Sequence, residues 1–489
     1  PLQTLFARLP GIMVALGAML VAMFRPSSIK KLGQILWAQK LVVIPVVAAV
    51  GTLAWFWGDL FPPTGAGEME TTSDTWVLWR GGPQRQGFNT GKLPEPANGG
   101  INWRFEDDNV KTFYASPAVV GNRVYITGAD YGLRDRGGIY SIDADSGQLV
   151  WKFNADGYRS TFSSPVVSGE RLVVGEGLHL IKDARLLCLD VTQSEKARKG
   201  VKVWDFRTSS HVESTPCVFD NKVYVGAGDD GFYCLDINGD GDGNAKVLWQ
   251  AKGPQYKDCE TAPVAGEVGE KKDKRVFLGL GEGGRAVVCL DAQTGKEIWR
   301  TAVPYPCFGS PALSDGKIVV GMGIGNYIQS AEDLLGAKKK PILERIHREE
   351  QKPERQEAML KELQAMLKEL EAELRPAGEV WCLNAETGDV VWKFAAKRTV
   401  LGSPAVRDGK VYFGSRDKNV YCLSLKDGSE VRRFNARAPV VSGLSVGEKT
   451  LYAVTQKGQV WGLDLETFEP VWAMELGNES ISSPAVARG

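Results

Sequence analysis

The chain has 489 residues, of which 43% are hydrophobic and 24% are charged, the composition of a globular protein with a large core. It contains 59 Lys plus Arg and 59 Asp plus Glu, so its formal net charge is +0. A nucleic-acid-binding protein needs a basic surface, so this balance argues against a nucleic-acid partner.

The first 60 residues predict a membrane anchor made of one or two apolar helices. The run 41–57 is long enough to span a bilayer and ends in three aromatic residues, which suit the membrane interface. The uncharged run 11–24 is shorter than the roughly 17 residues of a spanning helix, so it is either a second span or an interfacial helix. The positive-inside rule places the basic residues between the two runs in the cytoplasm and everything after them outside: Arg25, Lys30, Lys31 and Lys40.

After a flexible polar linker at residues 61–75, a repeated pattern fills residues 76–489. Each copy has four short runs rich in Val, Ile, Tyr and Trp and closed by turn-forming residues, the pattern of four antiparallel strands. Copies recur every 40 to 51 residues, with one longer interval of 93 residues. The first strand carries a marker that is proline in all copies but one: Pro117, Pro165, Pro216, Pro263, Pro311, Pro404, Leu444 and Pro484. The fourth strand carries a marker that is tryptophan in all copies but one: Trp103, Trp151, Trp204, Trp249, Trp299, Trp392, Arg432 and Trp472.

This period predicts an all-β protein, an eight-bladed β-propeller of four-stranded antiparallel blades. The eighth blade would join the chain ends, because residues 102–106 look like a fourth strand and residues 482–486 like a first strand. Its second and third strands are missing, so we expect a sequence truncated at both ends; a thin eighth blade and a seven-bladed ring are the alternatives. Residues 76–82 are predicted to pack against the propeller rim.

Four motifs of the repeat resemble those of a known family. They are SPxV in the first strand, VYxG in the second, YCLD or a relative in the third, and TGxxxW, clearest at residues 294–299, leading into the fourth. Over residues 76–489 the chain is similar to quinoprotein-type propellers built from PQQ-like repeats. That family includes PQQ-dependent alcohol and sugar dehydrogenases and also inactive scaffolds. The chain resembles more closely one of the scaffolds, the lipoprotein of the outer-membrane β-barrel assembly machinery, and the resemblance implies fold more specifically than activity.

The residues just before each first strand surround the mouth of the axial channel in such a fold, and they form the candidate ligand site. This ring mixes basic, acidic and aromatic side chains: Lys111, Tyr114, Arg159, Phe162, His211, Glu213, Lys257, Asp258, Glu260, Tyr305, Phe308 and Arg398. In the dehydrogenases that the chain resembles, this mouth holds PQQ, whose carboxylates need Arg or Lys, and Ca²⁺, which needs carboxylate and amide oxygens. The ring could hold an anionic aromatic ligand; the alternative is a solvated funnel.

Two hallmarks of those dehydrogenases are missing from the sequence. No two cysteines are adjacent, whereas the alcohol dehydrogenases of the family have a strained disulfide beside the cofactor. The catalytic Asp and the Ca²⁺-binding Glu and Asn fall in no recognisable motif. The three histidines have no metal-ligand spacing: His179, His211 and His347. We therefore assign no catalytic residue and expect PQQ only if the protein is an oxidoreductase.

The loop 236–244 is a second candidate cation site. Oxygen-bearing residues alternate there with glycines, as in a tight Ca²⁺-binding loop: Asp236, Asn238, Asp240 and Asp242. The loop lacks the Glu that closes an EF-hand, and the alternative is a plain hairpin between the third and fourth strands.

The cysteines divide by their place in the repeat. Five fall in third strands and are predicted to be core residues: Cys188, Cys234, Cys289, Cys382 and Cys422. Cys259 and Cys307 each stand four residues before the marker in neighbouring copies, where they either remain free or, outside the cytoplasm, form a disulfide.

The long interval predicts a helical hairpin inserted at residues 330–376, between the second and third strands of the fifth repeat. Apolar residues recur there at three- and four-residue steps and form one stripe on a helix: Met359, Leu363, Met366, Leu370 and Leu374. The stripe is either covered within the hairpin or offered to a protein partner.

Together these features favour a membrane-anchored propeller on the periplasmic or extracytoplasmic side that binds proteins as an assembly scaffold. The partner would bind the helical insertion or a propeller face. The alternatives are a PQQ- and Ca²⁺-dependent quinoprotein oxidoreductase and a non-catalytic ligand sensor that uses the axial funnel. The missing Cys-Cys pair and the missing catalytic Asp motif favour the scaffold.

Overall fold

The structure is a computed structural model that describes residues 75–77, 80–89, 100–108, 110, 112–129, 137–154, 158–159, 161–178, 181–327, 329–372 and 377–487. The predicted anchor at residues 1–60 lies outside these ranges. Across them, no helix combines the length and the hydrophobicity that crossing a membrane requires.

Within these ranges, seven antiparallel sheets form the propeller blades, and each contains four strands that are consecutive in the chain. Blades 1 and 2 contain β2 (Ala118–Val120), β3 (Arg123–Ala129), β4 (Gly137–Asp143) and β5 (Leu149–Phe153), then β6 (Val166–Ser168), β7 (Arg171–Gly175), β8 (Arg185–Asp190) and β9 (Val201–Arg207). Blades 3 and 4 contain β10 (Cys217–Phe219), β11 (Lys222–Gly226), β12 (Phe232–Asp236) and β13 (Lys246–Ala251), then β14 (Val264–Val268), β15 (Asp273–Gly279), β16 (Ala286–Asp291) and β17 (Glu297–Ala302).

The remaining blades follow the same plan. Blade 5 contains β18 (Ala312–Ser314), β19 (Lys317–Gly323), β20 (Gly378–Asn384) and β21 (Val390–Ala396). Blades 6 and 7 contain β22 (Ala405–Arg407), β23 (Lys410–Gly414), β24 (Asn419–Ser424) and β25 (Glu430–Asn435), then β26 (Ser445–Val446), β27 (Thr450–Val454), β28 (Gln459–Asp464) and β29 (Pro470–Glu475). A short β1 (Thr75–Trp76) adds a fifth strand to blade 1 beside β2.

The prediction of eight blades was wrong, because the described strands form seven such sheets. The two segments expected to share the eighth blade form no strand in the part of the chain described. Because no second and third strands lie between these two segments, their polar groups form hydrogen bonds with other parts of the propeller. The backbone N–H of Ser483 donates to Ser116 Oγ (2.9 Å), and the carbonyl of Pro484 accepts from Ser445 Oγ (2.6 Å). The Trp103 indole donates to the Ala144 carbonyl (2.8 Å) on the outside of blade 1.

Neighbouring blades pack face to face through buried β-branched and apolar residues. One core cluster joins Val173 and Cys188 of blade 2 to Val223 and Leu235 of blade 3. All eight cysteines are free and buried, including the five that the sequence places in third strands. Burial raises the pKa of Cys307 to about 12, so this thiol stays protonated at neutral pH.

The TGxxxW motif packs the tryptophan of one fourth strand against the turn of the next blade, as Trp249 and Gly295 show. Gly295 has φ of +71°, and a Cβ atom there would lie 2.5 Å from the Trp249 ring. The Trp249 indole N–H donates to the Ala292 carbonyl of the same turn (3.1 Å). The motif therefore needs glycine for two reasons, the left-handed backbone and the close approach of an indole.

The prediction that residues 76–82 pack on the rim does not match the structure, because Trp76 pairs with the first strand β2 and the Val77 carbonyl accepts from Val167 of the first strand β6. The segment 80–89 follows and lies at the propeller axis. The four carbonyls of Pro83, Gln84, Gln86 and Gly87 accept hydrogen bonds from the first strands β14, β18, β22 and β26 (2.7 to 3.0 Å). Five consecutive residues can reach four blades only where the blades converge. We call residues 80–89 the axial segment.

The axial segment also buries two arginines. The Arg85 guanidinium donates to the carbonyls of Pro263 (2.6 Å), Thr215 (3.0 Å) and Pro216 (2.8 Å), which joins blades 3 and 4. Arg80 donates to the Leu444 carbonyl of blade 7. Burial lowers the pKa of Arg80 to about 9, and the nearby charge of Arg85 acts in the same direction.

In the described part of the chain, three α-helices lie outside the sheets: α1 (Val191–Ala197), α2 (Ala331–Glu350) and α3 (Glu357–Ala372). The last two form a helical hairpin between β19 and β20. A capping box at Ser330 and Asp333 begins α2 (Asp333 N–H to Ser330 Oγ, 3.1 Å). An ion pair between Lys339 and Glu371 joins the two helices.

Candidate functional site

A cavity of 420 Å³ lies on the axis of the propeller. Its wall follows the repeat, because seven of the eight residues that stand three positions before a first-strand marker line it: Tyr114, Phe162, Glu213, Glu260, Phe308, Val441 and Ile481. The residues one position before the marker line it as well, among them Ser116, Ser164, Thr215 and Ser310. Residues two apart share a face of an extended chain, so both positions turn toward the axis.

Half of the predicted ring lines the cavity. These six residues are Tyr114, Phe162, Glu213, Asp258, Glu260 and Phe308. Lys111 lies outside the described residues. The other five are not in the cavity wall: Arg159, His211, Lys257, Tyr305 and Arg398. Four of these five stand six positions before a marker, beyond the short stretch that reaches the axis.

The predicted basic residues bond away from the cavity. Arg159 donates to the carbonyls of Lys182 and Asp183, the latter at 3.2 Å. Arg398 forms an ion pair with Glu332 at the start of α2. Lys257 is exposed. The predicted match between these cations and an anionic ligand therefore finds no support in the wall of this cavity.

The wall also contains residues that the sequence analysis missed: Glu282, Asn326, Tyr327, Val441 and Ile481. Val441 and Ile481 stand at the same repeat position as Glu213, so alignment by position alone would have found them. Tyr327 follows β19 and precedes the helical hairpin, and no feature of the repeat marks it.

Three aromatic rings form one side of the cavity. The ring centroids of Tyr114 and Phe162 are 5.0 Å apart at an interplanar angle of 55°. Phe162 stacks on Tyr327 at 6.5 Å and 26°. Burial and the neighbouring charge of Glu213 raise the pKa of Tyr327 to about 12, although Arg416 acts in the opposite direction. The phenol is therefore neutral at physiological pH.

Carboxylates from blades 3 and 4 form another side. His211 Nε2 lies 3.1 Å from Glu260 Oε1, and ligand atoms of His211, Glu213 and Glu260 all lie within 4.8 Å of one another. Burial alone would lower the pKa of His211, but the hydrogen bond to Glu260 and the charge of Glu213 raise it overall. By geometry, these three residues could hold a cation.

The helical hairpin begins at the edge of this cavity. Asn326 and Tyr327 line the wall only a few residues before α2. Arg416 of blade 6 donates to the Asn326 carbonyl (2.6 Å). The Arg398–Glu332 ion pair links the segment that follows β21 of blade 5 to the start of α2.

The predicted apolar stripe on the hairpin is partly covered. Leu363 is buried, Met359 and Leu370 are half-buried, and Met366 is 46% exposed. Leu374 lies outside the described residues. Leu343 of α2 is also exposed, at 48%.

The predicted Ca²⁺ loop uses its oxygens internally. The Asp236 carboxylate accepts the Asn238 N–H (3.0 Å), and the Asp240 carboxylate accepts those of Asp242 (2.8 Å) and Asn244 (3.0 Å). Hydrogen bonds from Asn244 lower the pKa of Asp240. Within the described ranges, these aspartates do not gather into a group of three ligand atoms. The Ca²⁺ site stays a prediction.

Comparison with known proteins gives one family match over most of the chain. A family model described as "Outer membrane protein assembly factor BamB" matches residues 89–197, 135–258, 241–339 and 376–489. The curated 1-butanol dehydrogenase (cytochrome c) of Thauera butanivorans is 33% identical over 143 residues, which cover 26% of this chain. The chain spans only 19% of the length of that relative.

Solved structures share the fold at low sequence identity. BamB from Moraxella catarrhalis superposes with a TM-score of 0.50 at 12% identity and covers 76% of this chain and 91% of its own. A europium-containing methanol dehydrogenase gives 0.56 at 12%, covering 84% and 87%. The quinohemoprotein alcohol dehydrogenase of Comamonas testosteroni gives 0.57 at 13%, covering 88% and 76%. At these identities the likeness shows the fold alone.

Proposed function

Because the chain belongs to the family described as outer membrane protein assembly factor BamB, we propose that it is an assembly scaffold that binds other proteins. The propeller would be membrane-anchored on the periplasmic or extracytoplasmic side, as the apolar N-terminal runs and the basic residues between them indicate. Its partners would be proteins of outer-membrane assembly, an inference from the family's name alone.

The composition of the cavity wall is the observation that favours a scaffold over an enzyme. PQQ is an anion, and its carboxylates need Arg or Lys. Among the described residues that line the cavity none is Lys or Arg, whereas four are acidic: Glu213, Asp258, Glu260 and Glu282. The residues present therefore do not fit the anionic quinone, and we derive no oxidation step.

The oxidoreductase remains the second candidate because of the short similarity to 1-butanol dehydrogenase. The sensor hypothesis would use the same cavity without turnover. Both require a ligand in the cavity, whereas the scaffold does not, and this difference makes them separable by experiment.

The exposed part of the helical hairpin is the proposed contact with a partner. Met366 and Leu343 are large apolar side chains exposed by 46% and 48%. Side chains of this kind stabilise protein interfaces when a partner covers them.

Calorimetric titration of the purified protein with PQQ plus Ca²⁺ tests the choice between enzyme and scaffold. We expect no saturable heat. Micromolar binding that is lost in Glu213→Gln would place the cofactor in the cavity and contradict the scaffold proposal.

Photo-crosslinking in native membranes tests the partner contact. A crosslinking amino acid at Met366 or Leu343 should give one adduct, identified by mass spectrometry as a protein of outer-membrane assembly. The matched control is the same group at Lys361, an exposed residue elsewhere on α3. Equal adducts at Lys361, or none at the apolar positions, would contradict the contact.

A further inference from the structure

The axial cavity has the size of a small-molecule site and two chemically different sides. Its volume of 420 Å³ lies within the roughly 300 to 1,000 Å³ typical of ligand pockets. The repeat position that lines it is aromatic or aliphatic in blades 1, 2, 5 and 7 and acidic in blades 3 and 4. A ligand that fills the cavity therefore meets apolar surface on one side and carboxylates on the other.

The charge of the wall is negative. Glu213, Asp258 and Glu260 are each partly buried, so water screens them less than it screens surface carboxylates. Glu282 at the exposed edge is paired with Arg285 (2.5 Å), outside the wall. His211 Nε2 lies 3.1 Å from Glu260 Oε1, and this imidazole can carry at most one positive charge beside the acidic groups of the wall.

The aromatic side adds an observation that does not depend on the carboxylates. Tyr114, Phe162 and Tyr327 form a continuous aromatic surface through their ring contacts. Aromatic faces attract cations, and guanidinium groups also stack on them. The two sides meet where Glu213 lies near Tyr327.

We propose that the axial cavity binds an organic cation, a guanidinium or ammonium group on a short apolar stem. The carboxylates of Glu213 and Glu260 hold the charged group, and the aromatic surface contacts the stem and the cation. Two sources share this chemistry, a free amine and an Arg or Lys side chain of a bound protein. The inference does not rest on the scaffold proposal, because a free amine would use the same cavity.

Calorimetric titration of the full chain with n-butylguanidinium tests the proposal. We expect saturable binding that weakens as salt increases. The control ligand n-butylurea has nearly the same shape without the charge, and butyrate carries the opposite charge; neither should bind. Equal binding of n-butylurea and n-butylguanidinium would overturn the proposal.

Variants locate the site. Glu213→Gln and Phe162→Leu should each weaken n-butylguanidinium binding by about tenfold, one through the charge and the other through the aromatic face. Glu267→Gln is the matched control, since Glu267 is an exposed carboxylate on β14 of blade 4. If Glu267→Gln weakens binding as much as Glu213→Gln, the cation binds elsewhere and the proposal fails. Circular dichroism and thermal melting check that each variant is folded.

Three further ligands distinguish the source of the cation and test for a metal site. Tighter binding of acetyl-Gly-Arg-Gly-amide than of spermidine would assign the site to a protein side chain, and the reverse would assign it to a free amine. Ca²⁺ that binds tightly and displaces n-butylguanidinium, with both lost in Glu260→Gln, would make the group of His211, Glu213 and Glu260 a metal site and overturn the proposal.

Discussion

Where one blade meets the next, the same indole contact recurs at several places around the propeller, whereas at the axis the residue type changes around the ring. Five indoles donate to a turn carbonyl of the following blade at 2.8 to 3.1 Å: Trp103, Trp204, Trp249, Trp299 and Trp392. Around the axial cavity, the residue three positions before the marker changes from Tyr to Phe to Glu and then to Phe, Val and Ile.

The comparison separates two uses of one repeat. A contact that is repeated between several pairs of blades stabilises the ring whatever the protein binds, so the same sequence motif can be used again in successive blades. A cavity made from one residue of each blade acquires its specificity only when those residues differ. The candidate site therefore lies at the repeat position whose residue differs between copies. The following predictions test whether the repeated contacts support stability and the variable positions support binding.

The largest effect is expected at a repeated contact between blades. Trp204 is fully buried, and its indole donates to the Ile237 carbonyl (2.9 Å). Trp204→Ala should lower the free energy of unfolding by about 3 to 5 kcal/mol, because it leaves a large cavity. Arg432→Ala is the control, since Arg432 stands at the same repeat position in blade 6 but is exposed, and should change stability by less than about 0.5 kcal/mol. Chemical denaturation measures the free energy of unfolding of both variants. Similar losses in the two would contradict a special role of the buried indole contact in stability.

A second pair of variants separates the indole contact from backbone strain. Gly295→Ala should cost about 3 kcal/mol, because the new Cβ meets both a positive φ and the Trp249 ring. Gly316 has a similar φ of +67° but open space around it, so Gly316→Ala should cost only about 1 kcal/mol. Equal losses of unfolding free energy in the two variants, measured by denaturant unfolding, would mean that the Trp249 ring moves aside at little cost.

The blades also contain a charge whose contribution depends on pH. Burial by itself raises the pKa of Asp230, but hydrogen bonds from Lys252, the Ser209 N–H and Tyr233 lower it to about 2. A depressed folded-state pKa stabilises the protein above the unfolded value of about 4, and this stability is lost as the pH falls from about 4 to 2. Asp230→Asn should be less stable than wild type by about 2 kcal/mol at pH 7, with the difference shrinking below pH 4 in urea titrations. A difference that is constant down to pH 2 would refute the ionic origin.

The smallest effect on stability is expected at the axial cavity. Phe162→Leu changes a half-buried ring and should cost less than about 1 kcal/mol. Phe232→Leu, at a fully buried ring in the third strand of blade 3, should cost about 1 to 2 kcal/mol by thermal unfolding. A larger loss at Phe162 would show that the cavity wall also supports the ring.

The fold followed from the sequence wherever a residue repeats. The SPxV and TGxxxW motifs located the strands of the seven blades, because each motif meets the same local requirement in each copy. The prediction of an eighth blade was wrong because residues 102–106 and 482–486 have the sequence pattern of strands but lack the two strands that would pair with them. The axial segment could not be predicted, since its bonds to four blades depend on long-range convergence rather than on local pattern.

The site was predicted in part for a related reason. Tyr114, Phe162, Glu213, Asp258, Glu260 and Phe308 were found from their place before the first strands. Arg159 and Arg398 were included by the same reasoning, but they stand six positions before the marker and do not line the cavity. Tyr327 belongs to the insertion and could be found only from coordinates.

The axial segment has a consequence for the order in which the protein is made. Its residues are synthesised before β2 to β29, yet Gly87 bonds to β26, and Arg80 bonds to Leu444, which lies 364 residues later in the chain. Because the N-terminal end is synthesised first, these groups cannot form their hydrogen bonds until blade 7 has left the ribosome. A segment that is synthesised early is therefore among the last parts of the propeller to be fixed in place.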